Sequence, residues 1–142
     1  MSLKRRGGFT IVETLIALAI ATIVFLGLLA ALLYAKKYNM SKACQYEAVR
    51  ALHEKLEEIA KMDYADITPA LNNGATSCQD ALDNRKNYIT RYVGNLKVDY
   101  GLYYDINEDT TLELKKVNLE VCWRYRDKLH QVSGTTIVRN TK

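Results

Sequence analysis

Proline occurs once in this chain, at Pro69. Histidine is confined to His53 and His130, and charge nearly vanishes between Arg6 and Lys36, where Glu13 stands alone. Each scarcity excludes something. With no proline from residue 9 to residue 62, nothing in that stretch forces a helix to kink or stop. The two histidines lie far apart in no catalytic motif, so they read as structural side chains and give no enzyme site. The cysteines, Cys44, Cys78 and Cys122, contain no C-x-x-C pair, which removes the usual zinc and thioredoxin-type signatures. Two of them could close one disulfide, which suits an oxidising compartment, and spacing alone leaves the pairing open. The formal net charge is +4, but Lys4, Arg5 and Arg6 supply three of those charges ahead of the apolar run. The remainder carries no nucleic-acid footprint.

Apolar sequence is abundant where charge is missing. Thr14 to Ala35 are 22 uninterrupted uncharged residues. At about 1.5 Å per residue they suffice to cross a bilayer core of about 30 Å. A secretory signal peptide has a shorter apolar region, about 7 to 15 residues, before its cleavage site. Lys4, Arg5 and Arg6 before the segment outweigh Lys36 and Lys37 after it, which predicts a cytoplasmic N-terminus and an external C-terminal domain. A charge within such a segment costs about 2.5 to 3.5 kcal/mol at the bilayer centre and less near its surface, so Glu13 needs a reason.

The stretch "GGFTIVETLIAL" closely resembles the cleavage and methylation site of type IV pilins and of the pseudopilins of type II secretion. In that family a basic leader ending in glycine is removed by a dedicated prepilin peptidase. The new first residue, usually phenylalanine, is N-methylated, and a glutamate stands fifth. Gly8, Phe9 and Glu13 occupy those places. The resemblance implies a leader over residues 1–8, a transmembrane and assembly helix over 9–35, and a periplasmic pilin-like domain over 36–142. It further implies that the α-amine of one subunit pairs with Glu13 of another, so that each buried charge is compensated only in the correct stagger. The implied partners are other pilins or pseudopilins through the N-terminal helix, the peptidase, an inner-membrane assembly platform and the lipid bilayer. No cofactor, metal or enzymatic activity is implied.

Helical spacing continues past Lys37. Tyr46, Val49, Leu52, Leu56 and Ile59 fall on one stripe, and Arg50 with Glu54 and Glu57 with Lys61 stand as i,i+4 pairs. A helix continuous from Phe9 to Met62 would be about 80 Å long. Helix signals end near Pro69, Asn72, Asn73 and Gly74, which predicts a connecting loop over 63–87, after a helix over 36–62. Cys78 in that loop could be tied to Cys44 on the helix or Cys122 on a strand. From residue 88 to residue 139 the period becomes two. Leu96, Val98, Tyr100, Leu102 and Tyr104 alternate with polar or small residues, as do Val117, Leu119, Val121, Trp123 and Tyr125. The expectation is an α+β fold, a long helix packed on a C-terminal antiparallel sheet of three or four strands, with Trp123 in the core.

"HEKLEEIAKMDYADI" and "VNLEVCWRYRDKLHQVSGTTIVRN" look like I-type minor pseudopilins and V-type minor pilins, whose last strands carry a V-x-V-x-W-like run and then a threonine-rich strand. Asp105, Asn107 and Asp109 have the opening spacing of a calcium loop. Thr110 replaces its glycine and Lys116 its final glutamate, so the stretch reads as a hairpin turn. The sequon Asn39-Met40-Ser41 lies within the predicted helix and is assigned nothing. The sequence therefore points to a minor pilin or pseudopilin, a structural subunit. The competing reading is a single-pass anchored periplasmic binding protein or enzyme with an unprocessed N-terminus.

Overall fold

A computed structural model describes residues 10–140. The chain divides into two units, Met1–Asn39 and Met40–Lys142. Helix α1, Ile11–Lys61, supplies nearly all described residues of the first unit and opens the second. In the first unit every described side chain is exposed. In the second unit, α1 is followed by two 3-10 turns, Tyr64–Asp66 and Pro69–Asn72, and a short helix α2, Cys78–Asp83. Strands β1 (Tyr88–Val93), β2 (Leu96–Asp109), β3 (Leu114–Tyr125) and β4 (Lys128–Arg139) then form one antiparallel meander in that order. This is the expected α+β arrangement, a long helix on an antiparallel sheet. The stretch expected as loop over 63–87 instead holds three short helical elements.

Alternation along the strands builds the core. Tyr100 lies opposite Trp123, Leu102 opposite Val121 and Tyr104 opposite Leu119, all buried on the face that receives α1. On α1 the buried residues are Cys44, Ala48, Ala51, Leu52 and Ile59. The expected stripe is therefore only partly right. Tyr46 is 71% exposed, and Val49 and Leu56 are only half-buried. The physical reason is volume. The sheet presents tyrosines and a tryptophan, so the helix comes close only by offering small residues. At that approach the buried Tyr100 hydroxyl donates to the Cys44 carbonyl at 3.0 Å. Trp123 is 3% exposed, tilted against Tyr100 at 5.9 Å between ring centroids and stacked on His130 at 5.4 Å. Of the expected ion pairs, Arg50–Glu54 forms at 3.4 Å and Glu54 is also held by Arg91 of β1. Glu57 and Lys61 do not pair, and Lys55–Glu58 forms instead.

On the other face of the sheet α2 packs against part of β2 and β3. Ser77 caps this helix by accepting from the Asp80 N–H at 3.1 Å. A disulfide between Cys78 and Cys122 fastens α2 to β3. It lies beside Gly101, the β2 residue opposite Cys122. A Cβ on Gly101 would lie 2.7 Å from the Cys78 carbonyl oxygen and 2.9 Å from the Leu82 nitrogen. Beyond the end of β1, the open edge of β2 is closed by a side chain. Asn72 donates to the Tyr104 carbonyl at 2.8 Å and accepts from its N–H at 2.7 Å, which replaces a strand pair. Lys115, buried on β3, reaches the Tyr64 and Ile67 carbonyls at 2.9 and 3.0 Å and ties down the chain leaving α1.

The stretch expected to turn from Asp105 onward stays extended to Asp109, and the turn is Thr110–Glu113. Asp109 accepts from the N–H groups of Thr111 and Leu112, so its carboxylate organises the turn.

Gly101→Ala should lower the stability of the full chain in detergent by about 1–3 kcal/mol, because its new methyl meets backbone and not a mobile side-chain end. The urea midpoint measures this. Gly27→Ala, inside a helix with open space around it, should not lower the midpoint.

Candidate functional site

Glu13 sits in the first turn of α1. Its N–H donates to the Thr10 hydroxyl at 3.3 Å, so Thr10 and Glu13 form the threonine half of a T-x-x-E capping arrangement. A carboxylate at this position also faces the positive end of the helix dipole. The T-x-x-E spacing is readable in the sequence, and the cap is a feature that reasoning from membrane cost alone passes over. Among the described residues no cation pairs with the Glu13 carboxylate.

Two threonine hydroxyls of the apolar stretch are satisfied locally. The Thr14 hydroxyl donates to the Ile11 carbonyl at 2.7 Å and the Thr22 hydroxyl to the Ala19 carbonyl at 2.8 Å. A helix that binds its own hydroxyls leaves no donor to be stranded in hydrocarbon. Ile11, Leu15, Ile23, Phe25 and Leu33 are all at least 60% exposed, and the segment is long and apolar enough to cross a membrane. An uncovered surface of this extent requires lipid or other helices around it. Tyr34 and Tyr38 bracket Lys36 and Lys37, the aromatic and basic composition that marks a membrane–water boundary.

Gly8 and Phe9, expected at the cleavage and methylation point, lie outside the described residues, as does the expected leader over 1–8. Of Gly8, Phe9 and Glu13 the structure describes Glu13. Residues 3–29 match the family model of the prokaryotic N-terminal methylation motif. That span contains the basic stretch, Gly8, Phe9, Glu13 and most of the apolar run, and it ends before the domain that begins at Met40. No curated protein and no solved structure matches the chain.

The cysteines separate into two kinds. Cys78 and Cys122 are bonded, and Cys44 is a free thiol, fully buried, whose pKa burial pushes up. A thiol held neutral and out of water is inert. Tyr104, also buried, has its hydroxyl pushed up to about 12, chiefly by burial and then by Glu58. Near α2, Asp80 gathers the Thr76 N–H at 2.9 Å, the Lys86 ammonium at 2.9 Å and the Asn84 amide at 2.6 Å. These donors hold its carboxyl well below the usual carboxylate range, the Thr76 N–H foremost. Lys86 also donates to the Gly74 carbonyl at 3.0 Å, so one cation closes the loop ahead of β1.

A carboxyl whose pKa falls on folding adds stability that is complete above the unfolded value near 4 and drains away as pH drops through the folded value. The thermal midpoint of the full chain in detergent should thus fall as pH drops below about 4. Asp80→Asn should lower the midpoint at neutral pH and flatten that acid limb, both read by circular dichroism.

Proposed function

We propose that this chain is a minor pilin or minor pseudopilin, a structural subunit cut after Gly8, N-methylated at Phe9 and assembled into a type IV pilus or type II secretion pseudopilus near its tip. The observation that carries the reading is the methylation motif over residues 3–29, laid on an apolar helical segment whose described side chains up to residue 39 are all exposed. The domain beyond it, a helix backed by an antiparallel meander, is compatible with that role.

The chemistry follows from the cut. Hydrolysis of the Gly8–Phe9 bond by a prepilin peptidase frees an α-amine with a reference pKa near 8, largely cationic at neutral pH, and one added methyl group leaves it basic. In a dry bundle of helices that cation answers Glu13 of a neighbouring pilin or pseudopilin. The pair adds little net stability because both partners lose water, but removing one partner strands the other. Register is the gain. Before assembly the protein resides in the bacterial inner membrane, N-terminus cytoplasmic and domain periplasmic, with an inner-membrane platform receiving it.

Intact-mass measurement of the protein purified from its own membrane decides between this subunit and an unprocessed anchored protein. The expected species begins at Phe9 and carries one methyl group; a chain retaining residues 1–8 while fully active overturns the reading. Glu13→Ala should be cleaved normally yet enter filaments at least about a hundredfold less, since stranding a buried charge costs about 3–5 kcal/mol. Immunoblotting of sheared filaments reads the difference.

A further inference from the structure

The sheet has two edges, and they are finished differently. At one edge β1 is only six residues long, and beyond it Asn72 serves the backbone of Tyr104. At the other, β4 runs for twelve residues. Its register against β3, from Tyr125 opposite Lys128 to Leu114 opposite Arg139, contains no bulge. Between Lys128 and Arg139 it has no proline, lysine, arginine, aspartate or glutamate. Short strands, bulges, prolines and charged side chains are the devices that keep a sheet edge from pairing with another chain. The middle of β4 has none of them.

The ladder fixes which backbone groups of β4 face outward. The Asn140 N–H donates to the Glu113 carbonyl at 2.9 Å, one step beyond the Leu114–Arg139 pair. Residues of an antiparallel strand alternate between bonding their neighbour and facing away. Even-numbered residues of β4 therefore bond β3, while Leu129, Gln131, Ser133, Thr135 and Ile137 turn N–H and C=O away from it. The Leu102 N–H, which donates to the Asn87 carbonyl at 2.9 Å, obeys the same alternation carried across the sheet. Among the described residues, no hydrogen bond reaches the outward backbone groups of those five. A Cβ on Gly134 would point at Leu52 and Leu56 of α1, so the even-numbered side chains face α1 and the odd ones face the other way. All five odd side chains are exposed, Leu129 at 39% and Ile137 at 59%.

Charge selects the occupant. From Arg126 to Arg139 the cations are Arg126, Lys128 and Arg139, against the single acid Asp127. Exposed Lys116 stands opposite Ile137, and a cleft beside the end of β4, lined by Lys61, Asp63, Tyr64, Ile137 and Arg139, adds a further cation. Joining β4 to β4 of a second copy would set two net-positive edges side by side, which like-charge repulsion opposes. An acidic strand has no such conflict.

We propose that β4 is a docking edge for an extended, acidic segment of a different chain, which joins the sheet as a fifth strand. Five outward residues offer about ten backbone hydrogen bonds, which supply affinity, while flanking side chains supply selectivity. Apolar residues of the segment cover Leu129 and Ile137, and its acids meet Lys116, Lys128 and Arg139. The inference goes beyond the proposed subunit role and uses no step of leader removal.

The test uses the full chain in its own cells, with the photo-crosslinking residue p-benzoylphenylalanine replacing Thr135 on the edge or, as a control, exposed Gln79 on α2. Light should join position 135, and not position 79, to a different protein through a segment rich in Asp or Glu, mapped by peptide mass spectrometry. Ser133→Pro deletes an outward N–H that β3 does not use, so it should lower the adduct about tenfold while the thermal midpoint of the chain in detergent barely moves. Ser133→Ala keeps that N–H and should leave the adduct unchanged. Gln131→Pro repeats the deletion at a second outward N–H should Ser133→Pro lower the midpoint. Lys128→Glu combined with Arg139→Glu leaves the backbone intact and should reduce the adduct severalfold. No adduct at 135, an adduct with a second copy, equal loss in Ser133→Ala, or an adduct that survives the proline changes and the charge reversal overturns the proposal. None of these readouts depends on residues 1–8, so retention of the leader would sink the processed-subunit reading and leave this one standing.

Discussion

The close approach of helices to both faces of β2 is the constraint on which the domain depends. On one face the helix α1 comes near enough for the Tyr100 hydroxyl to reach a helical carbonyl, and it does so through Cys44, Ala48 and Ala51. On the other face α2 lies against the backbone of Gly101, where no side chain intervenes. Large residues in the sheet and small ones in its neighbours are two halves of one packing solution. The disulfide from Cys78 to Cys122 then fixes the outer helix to the strand beside the glycine.

Around that three-layer centre the polar groups are absorbed by side chains that stand in for backbone. Asn72 acts as a strand pair for Tyr104, and Lys115 gathers the carbonyls that α1 leaves behind. Both are buried, every polar side-chain atom of each has a hydrogen-bond partner, and both sit where regular structure stops. A buried polar side chain in such a place costs little because its partners would otherwise be stranded as well.

Much of this was legible in the amino-acid order. The apolar run and the period-two alternation that puts Tyr100, Leu102 and Trp123 on one face follow from spacing, and the motif around Gly8, Phe9 and Glu13 from a family resemblance. What spacing could not decide was which of two adjacent helical stripes turns inward. Ranked by the apolar area they could bury, Tyr46 and Val49 exceed Cys44 and Ala48, yet the choice is made by the volume already filled by the sheet. The segment between α1 and β1 was also opaque, because Asn72 acts on a partner distant in sequence and Asp80 through short local turns with no period. The cysteine pairing became visible only once Gly101 had placed α2 over Cys122.

The disulfide also has a mechanical meaning for a protein loaded through its long helix. The 44 residues separating Cys78 from Cys122 would add about 150 Å of contour to a pulled chain, and the covalent link withholds all of it. A stretched molecule can pay out the segments outside that span, while three of its four strands, in whole or in large part, stay within a closed loop that tension bypasses.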